Sequence, residues 1–349
     1  MTWRTEILTD EQDVAWDHLL ETHALARSVA PMLDEQAGWA PVRIGLYAGS
    51  DLVGGAALGL RKVPGLPLRV ARSRCIMVGP TEHADMLAAL LAGIDRFAEE
   101  NAVVEVELQP RIPSADAVPG FEFHRDLASN LADAGYRRLN HVERTYLVRI
   151  DRDDEALLGS FSKSCRKEVR RAARGGCTVS VTHDVGLLET LSEAHAEMCE
   201  RKGAPTVQRK AIVSGLRALL QKGHALLFQG TCEGQLANLA IVDALGIPCA
   251  MLSTRTSANV RGEVTSAAQL RHFEVMRYLR DRGKTFYDLG GCEGPEPVKG
   301  HPNYGVWNFK YGFRGVYVEF MPYYRKARGP LTGTSLNLIH RLRGDSAYA

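Results

Sequence analysis

Apolar residues recur along this chain in two rhythms, and the rhythms come in the same order twice. DEQDVAWDHLLETHAL (10–25) spaces its apolar residues three and four apart and carries acids in its first turn, which predicts a helix. VRIGLYAGSDLVGGAALGL (42–60) is two apolar runs around a Gly-Ser-Asp turn, the pattern of a hairpin. DMLAALLAGIDRFAEENA (85–102) is amphipathic at helical spacing, and VVEVELQP (103–110) alternates as a strand until Pro110 removes a ladder donor. In the second half, VGLLETLSEAHAEMCERKG (185–203) predicts a helix closed at Gly203. ALLFQGTCEGQLANLAIVDALGIPCAML (225–252) reads as three strands joined by turns. TSAAQLRHFEVMRYLRDRG (265–283) is a helix capped by Thr265 or Ser266 and ended by Gly283, and TFYDLGG (285–291) is a strand.

The two hairpins open at 42 and 225, and the strands after the long helices at 103 and 285. One unit of helix, antiparallel hairpin, helix and strand therefore occurs twice at a nearly constant offset. Identity between the copies is low, so the duplication rests on pattern. The order implies mixed α/β sheets with helices on their faces. Between the copies, 123–150 predicts a short helix and a strand, followed by the segment 154–181. The expected division is a first domain over 1–150 and a second over 151–321, with no low-complexity linker.

Composition narrows the class. The 349 residues suffice for two ordinary domains, and 45% hydrophobic with 24% charged residues is a soluble globular balance. No apolar run approaches the roughly 18 residues of a membrane span. The stretch MTWRTEILTDEQDVAWDHLL has no signal-peptide pattern, so a cytoplasmic chain is expected, compatible with a monomer. A net charge of +2 gives no global basic field, and any contact with nucleic acid has to come from a local patch. Seven cysteines without a CxxC predict reduced thiols, with neither a disulfide framework nor a zinc site.

Such a patch exists. Lys163, Arg166, Lys167, Arg170, Arg171 and Arg174 fall within one predicted helix and meet a single acid, Glu168. Lys163, Arg166 or Lys167, Arg170 and Arg174 share a face. Like charges so placed repel by roughly 0.2–0.5 kcal/mol per pair, so the arrangement points to a polyanion; the plain alternative is a solvated face.

A second stretch, YDLGGCEGPEPVKGHPNYGVWNFKYGFRG (287–315), runs from a strand through a proline-containing loop into aromatics around Lys310 and Arg314. Read as a strand, 305–313 puts Trp307, Phe309, Tyr311 and Phe313 on one face and Asn308, Lys310 and Gly312 on the other. Lys310 is then a surface lysine or a cation held to meet phosphate or developing negative charge. Asp288 reads as a cap for the following loop. Arg201 and Lys202 are cations at a helix end, and NVRGEVTSAA (259–268) weakly resembles a helix-entry phosphate loop. Cys292 would be a nucleophile only with a histidine partner, which no spacing supplies.

Together these stretches resemble the FemABX family of tRNA-dependent peptidyl- and aminoacyltransferases over nearly the whole chain. The likeness is carried by MVGPT (77–81), ERTYLVRI (143–150) and SFSKSCRKEVRRAARGGCTVSV (160–181). Its most specific parts are YDLGGCEG (287–294) and GVWNFKYGFRGVYVEF (305–320). The resemblance implies an α/β fold of two GNAT-like mixed-sheet domains, with residues 322–349 returning to the first. It implies transfer of an aminoacyl group from aminoacyl-tRNA, as co-substrate, to an amine, with no metal, CoA or other cofactor. This is ester aminolysis. The attacking amine must be neutral although its free pKa is about 10.4, the carbonyl oxygen becomes anionic, and the ribose oxygen leaves with a proton. Lys310, with Phe309 beside it, takes the position of the family's functional lysine, which implies charge stabilisation and positioning of the tRNA end, not base catalysis. The helix 163–174 would grip tRNA phosphates, and Arg43, Arg201, Asp288, Tyr304 and Trp307 are expected to meet substrate.

The sequence also departs from the family. CAMLSTRTS (249–257) lacks the tyrosine pair of many members, and Gln109-Pro110 stands in place of Asp-Pro. The lysine that helps bind a nucleotide-sugar precursor has only Arg43 or Arg27 as stand-ins. The acceptor thus stays open between a peptidoglycan precursor and a natural-product intermediate. Two other readings compete: an acyl-CoA-dependent N-acyltransferase on the same fold, and a non-catalytic RNA-binding module using the basic helix.

Overall fold

Each copy of the repeated unit builds its own seven-stranded mixed sheet in the computed structural model, which describes residues 2–22, 39–63, 65–78, 84–111, 113, 127–202, 209–255 and 267–328. The first half runs β1 (Trp3–Ile7), α1 (Asp13–Thr22), β2 (Ala40–Ala48), β3 (Asp51–Lys62), β4 (Arg69–Val78), α2 (Ala84–Glu100) and β5 (Val103–Leu108). α3 (Leu127–Asp133), β6 (Arg137–Arg138), β7 (Arg144–Arg149), α4 (Asp154–Ser160) and α5 (Lys163–Arg174) follow. The second half runs β8 (Cys177–Thr182), α6 (Leu187–Lys202), α7 (Arg209–Gln221), β9 (Ala225–Cys232), β10 (Gln235–Asp243), β11 (Cys249–Arg255), α8 (Ala268–Arg280) and β12 (Phe286–Gly291). It closes with α9 (Tyr304–Tyr311), β13 (Val316–Glu319) and β14 (Tyr324–Ala327).

The first sheet has the order β1-β2-β3-β4-β5-β14-β6, and the second, read from its other edge, β8-β9-β10-β11-β12-β7-β13. The two match position by position. In each, a hairpin and a third strand run antiparallel, and the next pair, β4–β5 or β11–β12, is parallel because a long helix intervenes. The strand beside β5 is β14, from the end of the described chain, while the strand beside β12 is β7, from before the second unit. The chain therefore enters the second sheet at Arg144 rather than at 151. The two connections between the sheets run side by side: Leu139 N–H donates to Tyr323 O (2.7 Å), Tyr323 N–H to His141 O (3.1 Å) and Phe320 N–H to Glu143 O (2.9 Å).

Helical spacing explains why α2 covers the first sheet. Met86, Leu87, Leu90, Leu91, Ile94, Phe97 and Ala98 fall three and four apart, and all are buried against Leu46, Leu58 and Val106. Each such side chain contributes roughly 1.5–3 kcal/mol on burial. The second core is more aromatic, with Tyr146, Phe161, Phe228, Tyr287 and Phe313 fully buried. α1 also faces the second domain: His224 Nε2 lies 2.8 Å from Asp17, and Lys222 and Lys284 reach Asp13 and Glu21.

Three expectations need correction. α8 starts at Ala268 with Ala267 at its cap; Thr265 and Ser266 lie outside the described residues, as does Gly203. Cys177 and Cys232 are joined in a disulfide although the cysteine pattern predicts reduced thiols. They are direct partners in the antiparallel β8–β9 register, a proximity that a separation of 55 residues conceals. The segment 305–313 is not a strand but lies mostly in helix α9. Among the described residues no helix is long and apolar enough to cross a membrane.

Candidate active site at the splayed strands of the second domain

β11 and β12 pair only at Cys249 and Asp288, and Asp288 N–H donates to Pro248 O (2.8 Å). Beyond that point the strands part. The β12–β7 register slips between Asp288 and Gly291, a bulge that bends β12 away. Asp288, 3% exposed, stitches the bulge: it accepts from Gly290 N–H at 2.7 Å, from the Thr145 hydroxyl, and from Arg111 Nη2 at 3.2 Å. The expected capping role of Asp288 thus takes the form of a buried junction between β12, β7 and an arginine from the first domain. Gly290 is required twice over. Its φ is +76°, and a Cβ there would sit 3.2 Å from Ala250 O and 3.5 Å from Lys310 Nζ.

The splay opens a cavity of about 700 Å³, walled by β11, the start of α8, Leu289 and α9. A second, more polar cavity of about 480 Å³ lies on the other side of the strand end, among Arg111, His141, Glu143, Arg144, Gly291 and Cys292. Leu289 and Gly291, two apart, would share a face of a regular strand; with the register slip between Asp288 and Gly291 they line different cavities. Lys310 lines the larger cavity and donates at 2.7 Å to the carbonyl of Gly291, a residue that lines the polar one.

α9 sets that position. Asn303 and Gly312 occupy its cap positions, and helical spacing replaces the expected alternation. Phe309 and Phe313, four apart, pack edge to face at 5.4 Å, and both lie against the His272 ring. Trp307 is buried, its indole N–H donating to Tyr146 Oη (2.7 Å) and Gly294 O (3.0 Å), which fixes the helix on the sheet. Lys310 falls beside Val306 on the cavity side. Aromatic pairs at i and i+4, Trp307–Tyr311 and Phe309–Phe313, were the available helix signal, and the run of alternating aromatics masked it.

α5 abuts this helix. Ser162, its N-cap, donates its N–H to Gly312 O (2.9 Å), so the basic helix starts where α9 ends. Cys165, Val169 and Ala172 face the core, leaving the expected cationic face outward. Arg166 bonds back to the Gly159 and Phe161 carbonyls, Arg171 pairs with Glu168 (2.5 Å), and Arg174 Nε donates to Arg170 O. Lys163, Lys167 and Arg170 are exposed without an ion pair among the described residues.

The remaining expected residues lie elsewhere. Arg43 is held by Asp13, Asp10 and the Thr9 carbonyl within the first domain. Tyr304 is half-buried at the start of α9, and Arg201 lies in the last turn of α6, its side chain outside the described set. Arg27 and residues 259–266 lie outside the described residues. Cys292 is half-buried, and burial pushes its thiol up to about 11, which keeps it protonated at neutral pH. The sequence reading missed Arg271, His272, Thr254 and Tyr287. His272 Nδ1 lies 3.0 Å from Tyr287 Oη and its Nε2 3.3 Å from Arg271, all three residues being buried. Their only trace in sequence is the charged pair Arg271-His272 inside a helix that is apolar on both sides.

No family model matches the chain. A lipid II:glycine glycyltransferase of Staphylococcus aureus (strain MRSA252) is 24% identical, over 78% of this chain and 80% of the relative. Among solved structures, a FemX crystal structure superposes with a TM-score of 0.79 at 19% identity, covering 97% of this chain and 99% of its own. A tandem GNAT protein from the clavulanic acid biosynthesis pathway gives 0.54 at 14% identity, covering 95% and 100%. The fold is the tandem GNAT-like fold, and the resemblance to the FemABX family stands on both sequence and structure.

Proposed function

We propose that this chain is a FemABX-type aminoacyltransferase that moves an amino acid from aminoacyl-tRNA to the amine of a peptidoglycan precursor, forming an amide bond. One observation carries the reading: the Lys310 ammonium lines the larger cavity and lies 2.7 Å from the carbonyl of Gly291, a residue of the polar one. The donor ester enters from the larger cavity and the acceptor from the polar one between the domains. When the neutral amine attacks the ester carbonyl, Lys310 exchanges Gly291 O for the oxyanion. One such preorganised donor is worth roughly 10²–10³ in rate. Lys310 also stabilises the charge on the departing ribose oxygen. The acceptor amine, an ammonium in solution, gives one proton to the Glu143 carboxylate in the polar cavity before it attacks, and a second, lost from the nitrogen on attack, leaves with the ribose oxygen. The exposed face of α5, starting where α9 ends, is placed to hold the phosphates of the donor's acceptor arm. A tRNA donor puts the reaction in the cytoplasm and calls for no resident cofactor.

The test is incubation with a mixed pool of charged tRNAs and a lipid-linked or soluble peptidoglycan precursor, with products read by mass spectrometry. Amide product that disappears on RNase treatment is the expected result. Product that persists after RNase when acetyl-CoA is supplied would establish the acyl-CoA alternative instead.

A further inference from the structure

The chain leaves β5 through Gln109 and Pro110 and reaches Arg111 in left-handed backbone, φ +47°, a conformation that residues with a Cβ rarely hold unless their contacts impose it. The contacts here come from beyond the first sheet. Arg111 is 7% exposed; its Nη1 donates to Glu143 Oε2 at 2.6 Å and its Nη2 to Asp288 Oδ2 at 3.2 Å. Its guanidinium carbon lies 4.5 Å from the centre of the Phe320 ring. Glu143 and Phe320 belong to the two connections between the sheets, and Asp288 to β12.

Each carboxylate leads to one half of the reaction. Glu143 lines the polar cavity, and the Tyr323 hydroxyl donates to its Oε1 at 2.7 Å, so Arg111 and Tyr323 set its two oxygens from different sides. Asp288 uses its other oxygen, Oδ1, on Gly290 N–H and the Thr145 hydroxyl, which fixes the bulge ahead of the Gly291 carbonyl that holds Lys310. One guanidinium therefore spans the group that takes the acceptor's proton and the strand bend on which Lys310 rests. A planar fork with fixed donors can bridge two carboxylates in this way; the single ammonium of a lysine does not reproduce it.

We propose that Arg111 is a positioning residue that registers the two halves of the transfer, holding Glu143 on the acceptor side and, through Asp288, Lys310 on the donor side. The inference rests on the roles given to Glu143 and Lys310 above.

Arg111→Gly suits the left-handed backbone and removes only the side chain. With charged tRNA and a peptidoglycan precursor as substrates, kcat should fall about a hundredfold, the loss that a displacement of about 1 Å brings, while KM for the charged tRNA stays within about twofold. Ethylguanidinium at non-denaturing concentration should then raise kcat at least about tenfold, and ethylammonium, equal in charge but without the fork, should not. Unchanged kcat per folded molecule, or equal rescue by the two cations, overturns the inference. If the glycine variant does not fold, Arg111→Lys decides: it should lose about tenfold in kcat at wild-type tRNA affinity, and wild-type turnover overturns the inference. Glu143→Gln and Lys310→Ala separate the two levels. If both lose turnover while the Arg111 variants do not, the site assignment stands and the inference alone falls. If both turn over like wild type, the site assignment fails and takes the inference with it.

Discussion

The parallel pair at the centre of each sheet is built differently. β4 and β5 stay paired from Arg69–Val103 to Ser73–Leu108, and Gln109 N–H carries the contact on to Ser73 O at 2.9 Å. β11 and β12 meet at one residue pair and part. The same contrast appears in their buried arginines. Arg325, on the strand beside β5, is 8% exposed and lies between Glu105 (3.7 Å) and Glu107 (3.0 Å). Arg271, beside the opened pair, has no carboxylate partner among the described residues. One copy of the unit is closed, charge-balanced and aliphatic in its core; the other is opened and left cationic. A duplicated unit can thus serve as scaffold in one place and as reaction vessel in the other, and the difference lies in a bulge and a few charges.

The sharpest way to break this comparison is to remove the balance in the closed copy. Arg325→Met takes the Arg325 guanidinium away from the buried Glu105 and Glu107 and should lower unfolding free energy by about 3–5 kcal/mol in denaturant titration. Activity per folded molecule should be unchanged. The same Arg-to-Met change at 271 is expected to have the opposite sign on stability. If both variants lose equal stability, the two sites are electrostatically alike and the contrast collapses.

Next in size is the change at the opened copy. Lys310→Ala should lower kcat by about 10²–10³ while RNA affinity stays within about twofold, because the helix that presents Lys310 is fixed by Trp307 and the Phe309–Phe313 pair. A variant that loses RNA binding and turnover in parallel would make Lys310 an anchor only.

Much of this was legible in sequence for physical reasons. α2, α6, the two hairpins and β12 carry their period in side chains whose burial decides them, and the basic face of α5 follows from helical spacing alone. The parts that stayed hidden depend on contacts distant in sequence. No local rule joins Cys177 to Cys232, brings Arg111 to Asp288, or sends β14 to pair with β5. α9 was misread because aromatics at every second position satisfy a strand as readily as a helix, and only the caps distinguish them. Arg43 was selected for its charge, yet Asp13 and Asp10 already hold it within the first domain.

A smaller effect is expected at Gly290. Alanine there must adopt a left-handed φ, at a cost of roughly 1–3 kcal/mol, and its Cβ would crowd Ala250 O and the Lys310 amine. The β12 bulge should relax and shift Lys310 from Gly291 O, lowering kcat about tenfold with KM for the donor little changed. Unaltered turnover would mean that the splay tolerates movement and that the bulge is not what separates the two copies.

The smallest effect, and the most diagnostic of the opened copy's partner, is in salt dependence. Lys163, Lys167 and Arg170 face solvent without ion pairs among the described residues, so replacing any one with glutamine should cost little stability. If they meet phosphates, each replacement should reduce the slope of log affinity for tRNA against log salt by about 0.7–0.9. Arg171, already paired with Glu168, and Arg166, turned back onto the Gly159 and Phe161 carbonyls, should change it less. Equal slopes across all five variants would return the helix to a solvated surface and leave the donor held by the cavity alone.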